Sequence, residues 1–177
     1  MLIAISGTPG TGKTKVAAIL SKKLGAKVIG TNYLVRKYNM KTSIDVERRT
    51  KIVDTKRLSD AARKESSLHD KMIFEGHLSH FVAADATIIL RTSPQELEKR
   101  LKRKGWNERK IKENVEAEAI GVIASEANGV EIDTTGKNPK QTAETVLKLL
   151  NNYSRQKEYA RKIDWTKEYE SYLGRFK

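Results

Sequence analysis

Gly7-Thr8-Pro9-Gly10-Thr11-Gly12-Lys13-Thr14 follows directly on the apolar run Leu2-Ile3-Ala4-Ile5 and leads into Val16-Ala17-Ala18-Ile19-Leu20. The pattern is G-x-x-x-x-G-K-T, placed at the exit of a predicted strand and the entrance of a predicted helix. Glycines in such a turn let successive backbone N–H groups face inward and cradle phosphate oxygens. The N-terminus of the following helix adds unpaired donors and its dipole. Lys13 is then expected to reach the β- and γ-phosphates of a nucleoside triphosphate, with the Thr14 hydroxyl on Mg²⁺.

The rest of the chain has to build a fold around that loop. Its 177 residues suffice for one α/β domain with a hydrophobic core. Cysteine is absent, which excludes a disulfide framework, a Cys-ligated zinc and a thiol nucleophile. No apolar stretch approaches the roughly 20 residues of a membrane helix. The N-terminus enters a core strand at once, leaving no room for a signal peptide. A soluble, cytoplasmic protein is expected. The net charge is +13, from 35 Lys and Arg against 22 Asp and Glu. It reads either as a lysine-rich solvated surface of thermophile type or as the mark of a polyanionic partner such as RNA, and composition favours the former.

Strand and helix patterns alternate, which predicts a parallel sheet with helices on both faces. Strands are expected at residues 2–6, 26–29, 72–74, 86–90 and 130–132, and helices at about 12–24, 54–69, 94–104 and 108–128. A mixed helical stretch covers 31–38, and Pro139 opens a long helix at a position where proline is tolerated. No internal repeat is visible.

Several residues beyond the loop carry candidate chemistry. Glu75 ends the third strand, where ligands bind in open α/β sheets, and its carboxylate can hold the Mg²⁺ shell or polarise an attacking oxygen. His77 follows two residues later and can donate to a phosphate oxygen or position a water, while His69 and His80 read as ordinary satisfied histidines. Between Lys99 and Lys112, eight basic residues surround the single acid Glu108, interrupted by Gly105-Trp106-Asn107. A hinged basic hairpin of this kind can close over a triphosphate. Two solvated helix faces, or an RNA-binding loop with Trp106 stacked on a base, remain open. The stretch 30–53 contains Arg36 and Glu47-Arg48-Arg49; Arg36 fits the phosphate of an acceptor, with a surface salt bridge as the alternative. Arg57 and Asp60 either face the cleft or pair on one helix face. Residues 151–177 hold six of the chain's eleven aromatics. Trp165, Tyr169, Tyr172 and Phe176 fall on one helical stripe, with Asp164 as the expected N-cap. The stripe either packs on the domain or offers a face to a partner.

Together these motifs resemble the atypical adenylate kinases of archaea and eukaryotes, whose eukaryotic members include the coilin-interacting nuclear ATPase protein. The resemblance covers about the first 150 residues. It rests on the glycine-rich loop, Asn32-Tyr33-Leu34-Val35-Arg36, Asp54-Thr55-Lys56-Arg57, Ile73-Phe74-Glu75-Gly76-His77, Leu90-Arg91-Thr92 and the basic run through Lys110. It implies a P-loop NTPase fold of nucleoside monophosphate kinase type: a five-stranded parallel sheet flanked by helices, a monophosphate-binding insertion at about 30–53 and a short lid at about 103–113. Residues 151–177 would form a basic, aromatic-rich helical extension. The implied activity is transfer of phosphate from ATP to AMP, or to other nucleoside monophosphates, with Mg²⁺. ATP hydrolysis would accompany it and serve small ribosomal subunit maturation through a platform ribosomal protein, with rRNA as a further partner.

Carried over residue by residue, Gly10, Gly12, Lys13, Thr14 and Lys15 would hold ATP, joined by Arg103, Lys104 and Arg109 from the lid. Arg36 and Arg57 would hold the monophosphate. Lys13, Glu75 and His77 would serve catalysis, and Thr14 and Glu75 the metal. Two departures matter. Glu75 stands where the family has aspartate in its Asp-x-His pattern, so a water-mediated metal contact is expected. Lys104 stands where eukaryotic members have arginine, which moves a bidentate phosphate grip to Arg103. The Asp-Gly-x-Pro-Arg of typical adenylate kinases is absent, as in the atypical branch. A shikimate-type small-molecule kinase is the weaker rival reading.

Overall fold

A computed structural model describes residues 1–40, 42–45, 50–158 and 162–174. Five strands, β1 (Leu2–Ser6), β2 (Lys27–Gly30), β5 (Met72–Glu75), β6 (Ala86–Arg91) and β7 (Val130–Asp133), form a parallel sheet in the order β2-β5-β1-β6-β7. Between them run α1 (Lys13–Leu24), α2 (Thr31–Lys37), α3 (Thr55–Ser66), α4 (Pro94–Arg103), α5 (Glu108–Ala119) and α6 (Val122–Glu126), and α7 (Pro139–Leu150) follows β7. Two short helices, α8 (Tyr153–Glu158) and α9 (Thr166–Leu173), complete the chain. This is the parallel sheet flanked by helices that the alternating pattern predicts, in the P-loop kinase type of arrangement that the resemblance implies.

Strand alternation sorts the core into two layers. Ile3, Ile5, Ile73, Ile88 and Leu90 point to one face, where Val16, Ala17 and Leu20 of α1 and Ala143, Val146 and Leu149 of α7 cover them. Leu2, Ile29, Met72 and Phe74 point to the other, against Leu34 of α2 and Leu58 and Ala62 of α3. Strand order departs in both directions from the central β1. The loop after β1 therefore sits at the carboxyl-end crevice where open α/β sheets take their ligands.

Two local expectations need correction. Residues 108–128 are not one helix: the chain breaks at Gly121, whose φ of +69° is left-handed and favours glycine. In the stretch 30–53, α2 stands where a mixed helical stretch is expected at 31–38, and Thr42–Asp45 (β3) and Thr50–Val53 (β4) pair as an antiparallel hairpin to which no expectation is attached. Glu47-Arg48-Arg49 lies outside the described residues. Asp164 precedes the cap of α9 by one residue: Trp165 is the cap, while Asp164 Oδ1 accepts from the Thr166 amide at 2.9 Å and its hydroxyl at 2.6 Å, a local turn.

The aromatic stripe packs on the domain. Tyr172 is buried with Leu97 and Leu101 of α4 and Ile111 and Val115 of α5, and Tyr169 lies against the same cluster. Trp165 is buried as well, and Phe176 lies outside the described residues. The Tyr153 hydroxyl ties the start of the tail to β6, accepting from the Thr87 amide at 2.8 Å and donating to its carbonyl at 2.9 Å. Truncating Tyr172 to alanine leaves a cavity in this cluster and should cost about 3 kcal/mol. Leu173→Ala, at a neighbour that is 40% exposed, should cost under about 0.5 kcal/mol. Denaturant unfolding of both variants reads the difference directly.

Candidate active site

The loop between β1 and α1 is shaped by what its glycines lack. Gly7, Gly10 and Gly12 have φ of +139°, +101° and +104°, a region L side chains avoid. A Cβ on Gly7 would lie 2.3 Å from the Leu90 carbonyl oxygen, and one on Gly10 would lie 2.6 Å from Leu97 Cδ1. The loop thus presses against both the end of β6 and the flank of α4. Its centre is the Thr8 carbonyl, which accepts from the Thr11 amide at 3.2 Å, the Thr11 hydroxyl at 2.9 Å and Lys13 Nζ at 3.1 Å. Lys13 Nζ also donates to the Gly7 carbonyl at 2.7 Å. Burial pushes the Lys13 ammonium down to about 8, with Lys104 adding repulsion and Glu75 and Glu118 opposing the shift.

Glu75 emerges at the end of β5 beside the first turn of α1. Both its carboxylate oxygens lie 3.4 Å from Thr14 Oγ1. A hydroxyl and a carboxylate side by side are hard oxygen donors of the kind Mg²⁺ takes when phosphates and waters complete its shell. Among the described residues no group of three or more His, Cys, Asp or Glu could hold a metal by protein ligands alone. The residues therefore fit a nucleotide-borne Mg²⁺, with Thr14 and Glu75 as its protein side.

Two cavities flank this pair. The first, about 650 Å³, is lined by Gly10, Gly12, Lys13, Thr14 and Lys15 and, across the opening, by Arg103 and Lys104. The second, about 710 Å³, is lined by Thr31, Asn32, Arg36, Glu75, Gly76 and His77. Arg36 is exposed there and donates from Nε to the Asn32 carbonyl at 3.3 Å. Its helix is anchored from behind, where buried Glu65 of α3 accepts from Lys37 at 2.7 Å, Tyr38 at 3.1 Å and Tyr33 at 3.3 Å. His77 is held on the neutral side of its ordinary value by desolvation, the Lys13 ammonium and His80.

The structure brings most, not all, of the predicted residues together. Arg57 is exposed on α3 and lines neither cavity; its amide donates to Asp54, the cap of that helix, at 3.1 Å. Arg109 is also outside the cavities, with Nε donating to Glu113 at 3.1 Å. Asn107 caps α5 as its sequence suggests, accepting from the Lys110 amide at 2.9 Å, and Gly105 makes the left-handed turn before it at φ +71°. His80 is the satisfied histidine expected, buried between Ser6 Oγ at 2.9 Å and Glu126 Oε2 at 3.1 Å. Sequence reading missed the far wall of the first cavity: Arg100, Thr134 and Lys137 line it, and Arg100 donates to the Thr134 hydroxyl at 3.0 Å and carbonyl at 2.8 Å. The available signal was Thr134-Thr135-Gly136-Lys137, a polar turn at the carboxyl end of a strand.

The depressed Lys13 pKa has a measurable consequence. A triphosphate brings negative charge to the ammonium and restores its proton, so binding takes up protons where the free loop is part-deprotonated. At pH 8 the uptake should be about half a proton per nucleotide, and affinity should fall up to about tenfold per pH unit above that. Calorimetry in buffers of differing ionisation enthalpy measures the uptake, and Lys13→Met should abolish it.

Comparison with known proteins places this geometry in a family. Residues 3–121 match the protein family described as AAA domain. A Thermococcus onnurineus (strain NA1) protein named "Putative adenylate kinase" is 40% identical over 177 residues, covering 96% of this chain and 94% of that protein. One of the same name from Pyrococcus furiosus is 39% identical, covering 98% and 96%. Shikimate kinase from Aquifex aeolicus shares the fold, with a TM-score of 0.57 at 17% identity over 87% of this chain and 98% of that one. No helix among the described residues is long and apolar enough to cross a membrane. Matched by the AAA-domain family over residues 3–121 and nearly end to end by these relatives, the chain belongs to the AAA-domain family and to the adenylate-kinase-like, nucleotide-binding family of its archaeal relatives.

Proposed function

We propose that the protein is an ATP:AMP phosphotransferase with an accompanying ATPase activity. The observation that carries this reading is the pair of cavities divided by Thr14 and Glu75. One is lined by the phosphate loop and basic side chains, the other by Arg36 and His77. Phosphoryl transfer needs donor and acceptor phosphates held in line across a charge-neutralising centre, with little covalent work left to the protein. The names borne by the relatives support the same reading.

In this reading Gly10, Gly12, Lys15 and the α1 amides cradle the donor phosphates. Lys13 leaves the Thr8 and Gly7 carbonyls and reaches the transferring group. Arg36 fixes the AMP phosphate, which is itself the nucleophile, and the basic turn carrying Arg103 and Lys104 closes over the triphosphate and excludes water. Thr14 and Glu75 would hold Mg²⁺, which when bound would supply neutralisation of the phosphate charge. His77, kept neutral, can accept a proton from a water that enters in place of AMP, giving hydrolysis. Arg57 and Arg109 belong to the site only if the open cleft closes, since neither lines a cavity here.

An assembly role on the small ribosomal subunit, with rRNA or a platform protein as partner, is the second reading. Its support is Trp106, 37% exposed in the basic turn. Electrostatic binding to RNA would weaken steeply with added salt.

Pure protein with Mg-ATP and AMP should convert AMP to ADP with little phosphate release. Lys13→Ala should lose at least about a hundredfold in rate. Arg36→Ala should raise the KM for AMP about tenfold or more and leave that for ATP unchanged. Phosphate release indifferent to AMP would overturn the kinase reading in favour of an ATPase.

A further inference from the structure

The phosphate loop is tethered from outside by a buried ionic chain that the proposed mechanism does not use. Arg91, at the end of β6, donates from Nε to Glu118 Oε1 at 2.7 Å and from Nη2 to the Glu118 carbonyl at 2.8 Å. Its Nη1 donates to Glu131 Oε2 of β7 and to the Ile163 carbonyl of the tail, the latter at 3.4 Å. The side chains of Arg91 and Glu118 are each 2% exposed and that of Glu131 is 5%. Glu118 Oε1 also accepts from the Thr92 amide at 3.1 Å, so the carboxylate cannot turn. Its other oxygen, Oε2, accepts from the hydroxyl of Thr8, inside the phosphate loop.

Thr8 therefore has two duties. Its carbonyl organises the interior of the loop, where Thr11 and Lys13 donate to it. Its side chain is fixed to a carboxylate on the last turn of α5, the helix that starts at the basic turn. A bound triphosphate would draw Lys13 off that carbonyl and strip the loop of one of its internal bonds. An anchor that does not depend on Lys13 keeps the peptide at residue 8 in place when this happens. We propose that Glu118, held by Arg91, is a positioning residue that keeps the phosphate loop in its nucleotide-binding shape through the Thr8 hydroxyl. The proposal rests on the phosphotransfer reading only in taking ATP as the ligand. Through Glu131, which accepts from the Ile163 amide at 3.2 Å, the same chain reaches the tail.

The decisive comparison is Thr8→Val against Thr8→Ser in the full chain, with Glu118→Gln alongside. Valine keeps the shape of threonine and removes only the hydroxyl; serine keeps the hydroxyl. Thr8→Val should weaken MgATP binding, measured by calorimetry, about tenfold, as expected for the loss of a buried hydrogen bond to a charged group. The KM for AMP should stay at the wild-type value, and Thr8→Ser should restore MgATP affinity to within about twofold. A purely structural hydroxyl would lower the melting temperature and leave the affinity of the folded protein unchanged. Folded Thr8→Val with wild-type MgATP affinity, or Thr8→Ser as weak as Thr8→Val, overturns the proposal. If Glu118→Gln fails to fold, the Thr8 pair decides alone. If the wild type does not phosphorylate AMP while Thr8→Val still loses MgATP affinity, the phosphotransfer reading falls and the positioning role stands.

Discussion

Two hydrogens, at the positions where Gly7 and Gly10 lack a side chain, set the closeness on which the site depends. With no Cβ at Gly7 the loop backbone reaches the Leu90 carbonyl, and with none at Gly10 it reaches Leu97 and Leu101 of α4. The first contact seats the loop on the carboxyl end of the sheet. The second makes α4 a wall of the cavity beside the loop. From α4 the same two leucines continue into the cluster that buries Tyr172, so the packing runs unbroken from the phosphate loop to the C-terminal helix. Any larger residue at either glycine would need the sheet end or α4 to move, and the cavity would move with it.

Charge is distributed on the same scaffold in two different ways. Much of the excess of lysine and arginine is solvated or satisfied locally along helices, as for Lys102 with Glu98 and Arg109 with Glu113. Exposed pairs of this type add little stability and leave the helix faces ready to reorganise around an anion. Lys13 is different, because burial destabilises its ammonium and the loop carbonyls hold it in the meantime. A cation already short of solvation gains more from an incoming phosphate than one in water does. The low pKa and the folded-back posture of Lys13 are two expressions of that single condition.

How much could be read in advance follows from the range of the interactions. The strand, glycine-rich loop and helix at residues 2–24 are local, and every feature of them is written in consecutive residues. Glu75 was legible because a strand end is a position with known geometry, and Asn107 because a cap acts within three residues. The break at Gly121 was not: a glycine inside a helical pattern can be carried through or can end the helix, and the left-handed φ of +69° that decides it here is visible only in the fold. The wall made by Arg100 and Thr134 was missed because those residues meet only after β7 closes against β6. The tail showed its periodicity but not its destination, because a stripe at helical spacing looks alike whether it meets its own domain or another molecule.

The buried Arg91 shows why such long-range polar contacts are informative once seen. Taking two carboxylates and a guanidinium out of water carries a desolvation penalty that apolar residues of similar volume would avoid, so the cluster is poor evidence for stability. Removing one partner would nonetheless be costly, on the order of 3–5 kcal/mol, because the others would stay buried and unpaired. An arrangement that adds little net stability yet cannot be relaxed piecemeal is suited to fixing position. Here it fixes β6, β7, the end of α5 and the tail about one guanidinium, and the hydroxyl left over at its edge is the one on the phosphate loop.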